Sequence, residues 1–197
     1  MKLLWLCNMV PGKVKEAVSG GSTGGGLWVD SVLEGLLGRE DLNIRILCPG
    51  DGGEGKVNAR CSYAFFSEGL PYVYLTELET QFRGELDTFQ PDVIHAHDWQ
   101  SGMVPALLKI QYAHLPFFAG IKTVFTIHNL QYQGIFGIRE VQDVLGLGDS
   151  LWTNDKLECF GCANYMKAAL VYSDVITTVS PSYAEEVQTA YYGERLD

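Results

Sequence analysis

Residues 91–102 read Pro91-Asp92-Val93-Ile94-His95-Ala96-His97-Asp98-Trp99-Gln100-Ser101-Gly102. Pro91-Asp92 is a turn signal, and Val93–His97 behind it reads as a strand. Polar side chains gather where that strand ends, and Gln100–Gln111 then has helical spacing. A strand that ends in a polar loop and passes into a helix is the first part of a βαβ unit. Its second strand follows as Thr123–Ile127 (TVFTI), rich in β-branched residues.

The same alternation extends in both directions. Upstream, Leu3–Cys7 has strand length. Gly24–Leu37 places Leu27, Val29, Val32, Leu33, Leu36 and Leu37 near the helical period. Asn43–Cys48 (NIRILC) alternates Ile44, Ile46 and Cys48 as a strand does, and Pro49-Gly50-Asp51-Gly52-Gly53 stops it. Tyr63–Phe66 and Tyr72–Leu75 read as short strands and Thr76–Phe89 as a helix. Downstream, Leu157–Tyr172 reads as one long helix, Val175–Val179 as a strand and Pro181–Ala190 as a helix. Ser180 stands at the N-cap of that last helix, with Pro181 at its first position. Strands alternating with helices imply an α/β fold, a Rossmann-like doubly wound parallel sheet with right-handed crossovers. With no repeat, low-complexity tract or linker, residues 1–197 read as one domain.

Composition fits that class. The chain has 197 residues, 47% hydrophobic and 19% charged, which suits a packed core and not a disordered or coiled-coil chain. Fourteen basic against 24 acidic residues give a net charge of −10, a field that repels nucleic-acid backbones. The apolar runs are too short to span a membrane. The first residues carry one charge and too short an apolar stretch for an export signal. Five cysteines, an odd number, then read as reduced thiols in a cytosol-like compartment.

In such sheets ligands bind at the carboxyl ends of the strands. Three loops stand there. Asn8–Gly26 follows the first strand and ends in Ser22-Thr23-Gly24-Gly25-Gly26. Gly24, Gly25 and Gly26 would let backbone N–H groups approach a ligand at a helix N-terminus, or would simply form a flexible loop. Within that loop neither the strict dinucleotide fingerprint nor the Walker phosphate loop is present. The second loop is His95-Ala96-His97-Asp98-Trp99. His95 and His97 point the same way along a strand, but no further metal ligand stands at a nearby spacing, so no metal is expected. Asp98 would either serve a site or cap the following helix. The third loop, His128-Asn129-Leu130-Gln131-Tyr132-Gln133-Gly134, is polar and aromatic, suited to sugar hydroxyls and ring stacking. Cys159-Phe160-Gly161-Cys162 has the spacing of a redox pair, or supplies two small apolar residues at a helix start.

Four segments together carry a resemblance: His95–Gly102, Thr126–Gly134, Asn164-Tyr165-Met166-Lys167-Ala168-Ala169-Leu170, and Thr177-Thr178-Val179-Ser180-Pro181-Ser182-Tyr183-Ala184. From about Pro91 onward the chain resembles bacterial glycogen synthases and plant starch synthases. The resemblance implies the first, acceptor-side domain of a GT-B fold, in which two Rossmann-like domains face a cleft. It implies a retaining transfer of glucose from ADP-glucose to the non-reducing end of an α-1,4-glucan, with no metal or other cofactor, in the cytoplasm or in a plastid. On the matching positions it implies that His128 and Asp98 meet the transferred glucose. It implies further that His97, Trp99, Asn129, Tyr132, Gln133 and the glycine loop Gly24–Gly26 bind substrate.

The first 90 residues are more similar to the broader retaining glycosyltransferases. Ser22 stands where the synthases carry a lysine, and an extra glycine follows. The chain therefore resembles a mosaic of two related families joined near Pro91–Trp99. The second domain, with most of the donor site, is expected to be missing, so little or no turnover is expected of these residues alone. A non-catalytic carbohydrate-binding module or a recombined scaffold is the alternative.

Overall fold

The computed structural model describes residues 1–7, 9–20, 28–50, 53–66 and 89–197, and the statements below concern these. Strand β1 (Lys2–Leu6) lies near the middle of a seven-stranded sheet. Its side chains alternate between two cores. Leu4 and Leu6 join one, and Trp5, with Cys7 just beyond the strand, joins the other, as the two-residue period of a strand buried on both faces requires.

The chain then forms helix α1 (Gly12–Ser19), closed by Gly20 in the left-handed conformation, within the segment 8–26 read above as a loop. Val14 buries fully, and Gly12 N–H donates to Asp30 Oδ1, which fixes α1 against helix α2 (Trp28–Leu37). Val29 and Leu33 of α2 pack with Val14 on Trp5, Ile44 and Ile46.

Strand β2 (Asn43–Pro49) pairs parallel with β1. A short edge strand, β3 (Glu54–Asn58), pairs antiparallel with β4 (Cys61–Phe66), which runs parallel to β2. The expected strand Tyr72–Leu75, nearly all of the expected helix Thr76–Phe89, and the glycines Gly24–Gly26 lie outside the described residues.

β5 (Val93–His97) returns to the other side of β1, with Trp5 opposite His95 in register. A 3-10 turn (Trp99–Ser101), helix α3 (Met103–Leu107) and a π-helical turn (Leu108–Tyr112) follow where one continuous helix was expected. β6 (Lys122–Ile127) pairs with β5.

Beyond it the chain leaves the sheet. β7 (Ile135–Phe136), helix α4 (Ile138–Leu145) and the hairpin β8 (Glu158–Cys159) and β9 (Cys162–Asn164) lead into helix α5 (Tyr165–Tyr172). The expected helix Leu157–Tyr172 is therefore a helix only in its second half. Phe160 and Gly161, at φ 52° and 80°, make a two-residue hairpin turn, so the Cys-Phe-Gly-Cys segment is a turn and not a helix start.

β10 (Val175–Thr178) pairs with β6, and helix α6 (Pro181–Glu186) closes the described fold, with the Ser180 hydroxyl accepting Tyr183 N–H as an N-cap.

The sheet order is β10-β6-β5-β1-β2-β4-β3, parallel except for β3. The chain runs outward from β1 to β4, then restarts at β5 on the other flank. That reversal places a crevice at the carboxyl ends of β1 and β5, where open α/β sheets bind ligands.

Candidate active site

His95 and His97 project from the β5 face opposite Ile94 and Ala96, which join the core with Leu4 and Leu6. They therefore share a face with Trp5. Their rings lie 4.1 Å apart between centroids. The Trp5 indole N–H donates to His97 Nε2, and His97 Nδ1 lies 3.0 Å from His128 Nε2. His95 Nε2 lies 2.7 Å from the Thr126 hydroxyl, which in turn lies 2.7 Å from the Thr177 hydroxyl on β10. Trp28, the first residue of α2, stacks on His128 with centroids 3.6 Å apart. The ends of β1, α2, β5 and β6 thus meet in one stack of rings.

His97 is held at its backbone as well. The Ser101 hydroxyl accepts His97 N–H at 2.7 Å and donates to His97 C=O at 2.8 Å. Asp98 then turns the chain at φ 52°, ψ −179°, a conformation few residues other than glycine adopt. Its carboxylate does not cap the helical turn that follows. Instead Oδ1 accepts His128 N–H at 2.8 Å and Asn129 N–H at 3.4 Å, tying the end of β5 to the end of β6.

Burial governs the protonation of this cluster. It pushes His95 down to about 4, with His128 nearby adding to the effect, and holds His97 well below the ordinary imidazole range. Burial lowers His128 too, against the opposing pull of the Asp98 charge. Burial raises the Asp98 carboxyl, while the N–H groups of His128 and Asn129 and the His128 charge hold it down. The resting state is a set of neutral imidazoles beside one hydrogen-bonded acid. Among the described residues no three or more His, Cys, Asp or Glu side chains converge to hold a metal.

The structure brings His97, Asp98 and His128 together. Other residues named from the sequence have partners outside this stack. Trp99 packs on Phe136 and against the Gly134 backbone, where a Cβ would collide with its ring, so it belongs to the apolar layer beneath the loop. Asn129 is exposed and uses Oδ1 to accept Gln131 N–H at 3.0 Å within its own loop. Gln133 is a clamp: Oε1 accepts from Asn164 Nδ2 at 2.6 Å and Nε2 donates to Glu194 C=O at 2.9 Å. Tyr132 is 64% exposed beside them. Cys159 and Cys162 face each other across the β8–β9 hairpin as free thiols.

Two participants were not evident from the sequence. Trp5 reads there only as an apolar strand residue, and its partner lies 92 positions away. Tyr183, whose hydroxyl accepts Leu130 N–H at 3.0 Å and so pins the loop after β6, sits in what reads as an ordinary capped helix.

Comparison with known proteins identifies the family. Glycogen synthase from Geobacillus thermodenitrificans is 53% identical over 135 residues, covering 68% of this chain and 28% of that protein. Glycogen synthase from Desulfitobacterium hafniense is 46% identical over 163 residues, covering 82% of this chain and 32% of that one. The chain thus spans about a third or less of the length of these relatives. The starch synthase IV catalytic domain of Arabidopsis thaliana, solved with ADP and acarbose bound, superposes over 99% of this chain and 48% of its own with a TM-score of 0.77. At 24% identity that likeness speaks for the fold, a Rossmann-like domain of the GT-B type. The family match begins at residue 61, well ahead of Pro91, where the resemblance in sequence motifs starts. With the starch synthase catalytic domain profile matching residues 61–197, most of its length, the chain belongs to that family.

Proposed function

We propose that the chain forms the acceptor-side wall of a retaining glycosyltransferase that moves glucose from ADP-glucose to the non-reducing end of an α-1,4-glucan. One observation carries the reading: at the topological crevice, His128 keeps a buried ring nitrogen, Nδ1, without a hydrogen-bond partner among the described residues. Buried polar atoms are nearly always paired, so this one suits a ligand hydroxyl. Membership in the starch synthase family and the glycogen synthase relatives support the substrate class.

In this reading His128 meets the transferred glucose, and Trp28 at its back keeps water from the ring. Asp98 fixes the His128 backbone and contacts the same sugar, and His97 steadies the imidazole. By family resemblance the donor phosphates fall to Gly24–Gly26, which lie outside the described residues, and Asn129, Tyr132 and Gln133 shape the acceptor side. An oxocarbenium-like transition state is served by such fixed donors and oriented hydroxyl contacts more than by a strong nucleophile. Transfer needs a second wall for the nucleotide sugar, so the 197 residues alone turn over little or nothing. We place the protein in a reducing, cytoplasmic compartment (a plastid for a plant parent), in keeping with five free thiols.

The test is incorporation of glucose from ADP-glucose into glycogen. The full-length parent is expected to transfer, and His128→Ala to lower its turnover about a hundredfold or more. Wild-type rates for His128→Ala, or robust transfer by the 197-residue chain, would overturn the assignment of these roles.

A further inference from the structure

The ring stack contains a chain of hydrogen bonds with only one consistent direction. An indole N–H can donate and cannot accept, so His97 Nε2, which takes the Trp5 N–H, presents a lone pair. A neutral imidazole carries one proton, so that of His97 sits on Nδ1. There it faces His128 Nε2 at 3.0 Å, and His128 Nε2 must accept. The His128 proton is then on Nδ1, the buried nitrogen without a partner among the described residues.

We propose that Trp5 and His97 are positioning residues that fix His128 as its Nδ1–H tautomer, so that it offers a bound sugar an N–H donor and not a lone pair. The proposal rests on the functional reading above only for what that N–H meets. Free imidazole favours the other tautomer, with the proton on Nε2. A histidine left to itself would therefore present a lone pair at Nδ1.

The relay also opposes charge on His128. An imidazolium would set Nε2–H against the His97 Nδ1–H. The groups that face this ring are His97 from β5, Asp98 from the turn after it, and Trp28 from α2. Trp5 from β1 and His95 from β5 stand behind His97. Among them Asp98 is the acid, and its Oδ1 already serves two backbone N–H groups. His128 thus acts as a fixed hydrogen-bond donor, and no proton leaves or joins it.

The sequence has four histidines, His95, His97, His114 and His128, so imidazole nitrogen shifts and two-bond nitrogen–proton couplings can be assigned in the 197-residue chain without substrate. The expected spectrum shows His97 and His128 both as neutral Nδ1–H tautomers at pH 8. Trp5→Phe keeps a buried ring and removes the donor, and is expected to shift His128 to a mixture with at least half Nε2–H. His97→Phe is expected to do the same. His97→Gln offers an acceptor and a donor in the same 1,3 relation and is expected to restore the Nδ1–H form.

An Nε2–H His128 in the wild-type chain would overturn the proposal even if no variant folds. An unchanged His128 in both Trp5→Phe and His97→Phe would overturn it as well. Failure of the glucose-transfer assay would leave these shifts as they are, so the two readings fail separately.

Discussion

Asp98 Oδ1 accepts the backbone N–H of His128 at 2.8 Å, a single side-chain bond that joins the ends of neighbouring strands β5 and β6. Asp98 makes it from a backbone conformation, φ 52° and ψ −179°, that costs about 1–3 kcal/mol for a residue other than glycine. The ladder bond from Asp98 N–H to Thr126 C=O at 3.1 Å helps to hold it there. Two effects are therefore separable by substitution. Asp98→Ala loses the carboxylate and keeps the strain, so it should destabilise the fold by about 2 kcal/mol. Asp98→Gly loses the same carboxylate but relieves the backbone, and should be about 1 kcal/mol more stable than Asp98→Ala. Urea unfolding of both variants checks the order, and an alanine variant as stable as the glycine one would show that the turn stores no strain.

The neutral histidines make stability fall in mild acid. His95 titrates near 4 in the fold, against an ordinary 6.5. Between these values the unfolded chain binds a proton that the folded chain does not. Folding stability is thus fully present above pH 6.5 and is lost as pH falls toward 4, by about 3 kcal/mol for this group. His97, also held low, acts in the same direction. Urea midpoints measured from pH 7 to 4.5 should decline steadily. His95→Gln, which keeps a polar partner for Thr126, should flatten part of the slope. A midpoint constant across this range would mean that the rings are not buried in their neutral form.

What the sequence discloses here is local, and what it hides is pairing. Val93–His97 is a strand to the residue because Pro91-Asp92 opens it and Asp98 ends it. The Ser180 N-cap is legible because cap, proline and hydroxyl acceptor are contiguous. Helix α1 was misread because the glycines after it dominate the segment, although Val14 and Val18 recur at helical spacing. Leu157–Tyr172 was misread because apolar spacing continues through a hairpin whose turn rests on Gly161.

At the site, strand-end position marks the loops that hold Asp98 and His128, and only the family resemblance singles out these two residues within them. The neighbours that give them their properties are not marked at all. Trp5 reaches His97 only because β1 lies beside β5, and Trp28 reaches His128 only because α2 begins at the same crevice. The inward packing of Trp99 is hidden for the same reason, since it depends on Gly134 leaving room for the ring 35 positions along the chain.

The loop after β6 depends on Asn164, a buried residue outside the ring stack. Its Oδ1 accepts Lys167 N–H at 2.9 Å as the N-cap of α5, and its Nδ2 donates to Gln133 Oε1 at 2.6 Å. Asn164→Ala should therefore cost about 2 kcal/mol, half from the lost cap and half from an unpaired Gln133 carbonyl. Asn164→Asp keeps the cap and loses only the donor, so it should fall between wild type and alanine. Thermal unfolding of the three forms tests this. Equal losses for Ala and Asp would show that the cap contributes nothing.

Two glycines of similar backbone should respond oppositely to alanine. Gly35 lies on the exposed side of α2 with nothing within 4 Å of an added Cβ. Gly35→Ala should stabilise the chain by about 0.5–1 kcal/mol, the usual return for removing glycine from a helix interior. Gly102, at φ −62° and ψ −27°, also has a backbone that alanine tolerates. There a Cβ would run into the Tyr165 carbonyl oxygen at the start of α5, a backbone atom that cannot swing aside. Gly102→Ala should thus destabilise by about 1–3 kcal/mol through forced separation of the β5 turn from α5. Because Ser101, which brackets the His97 backbone, is the adjacent residue, the same shift should disturb the histidine stack. Urea midpoints and the His97 and His128 nitrogen shifts of both variants test the contrast, and a neutral Gly102→Ala would mean that the two segments pack less closely than their backbones indicate.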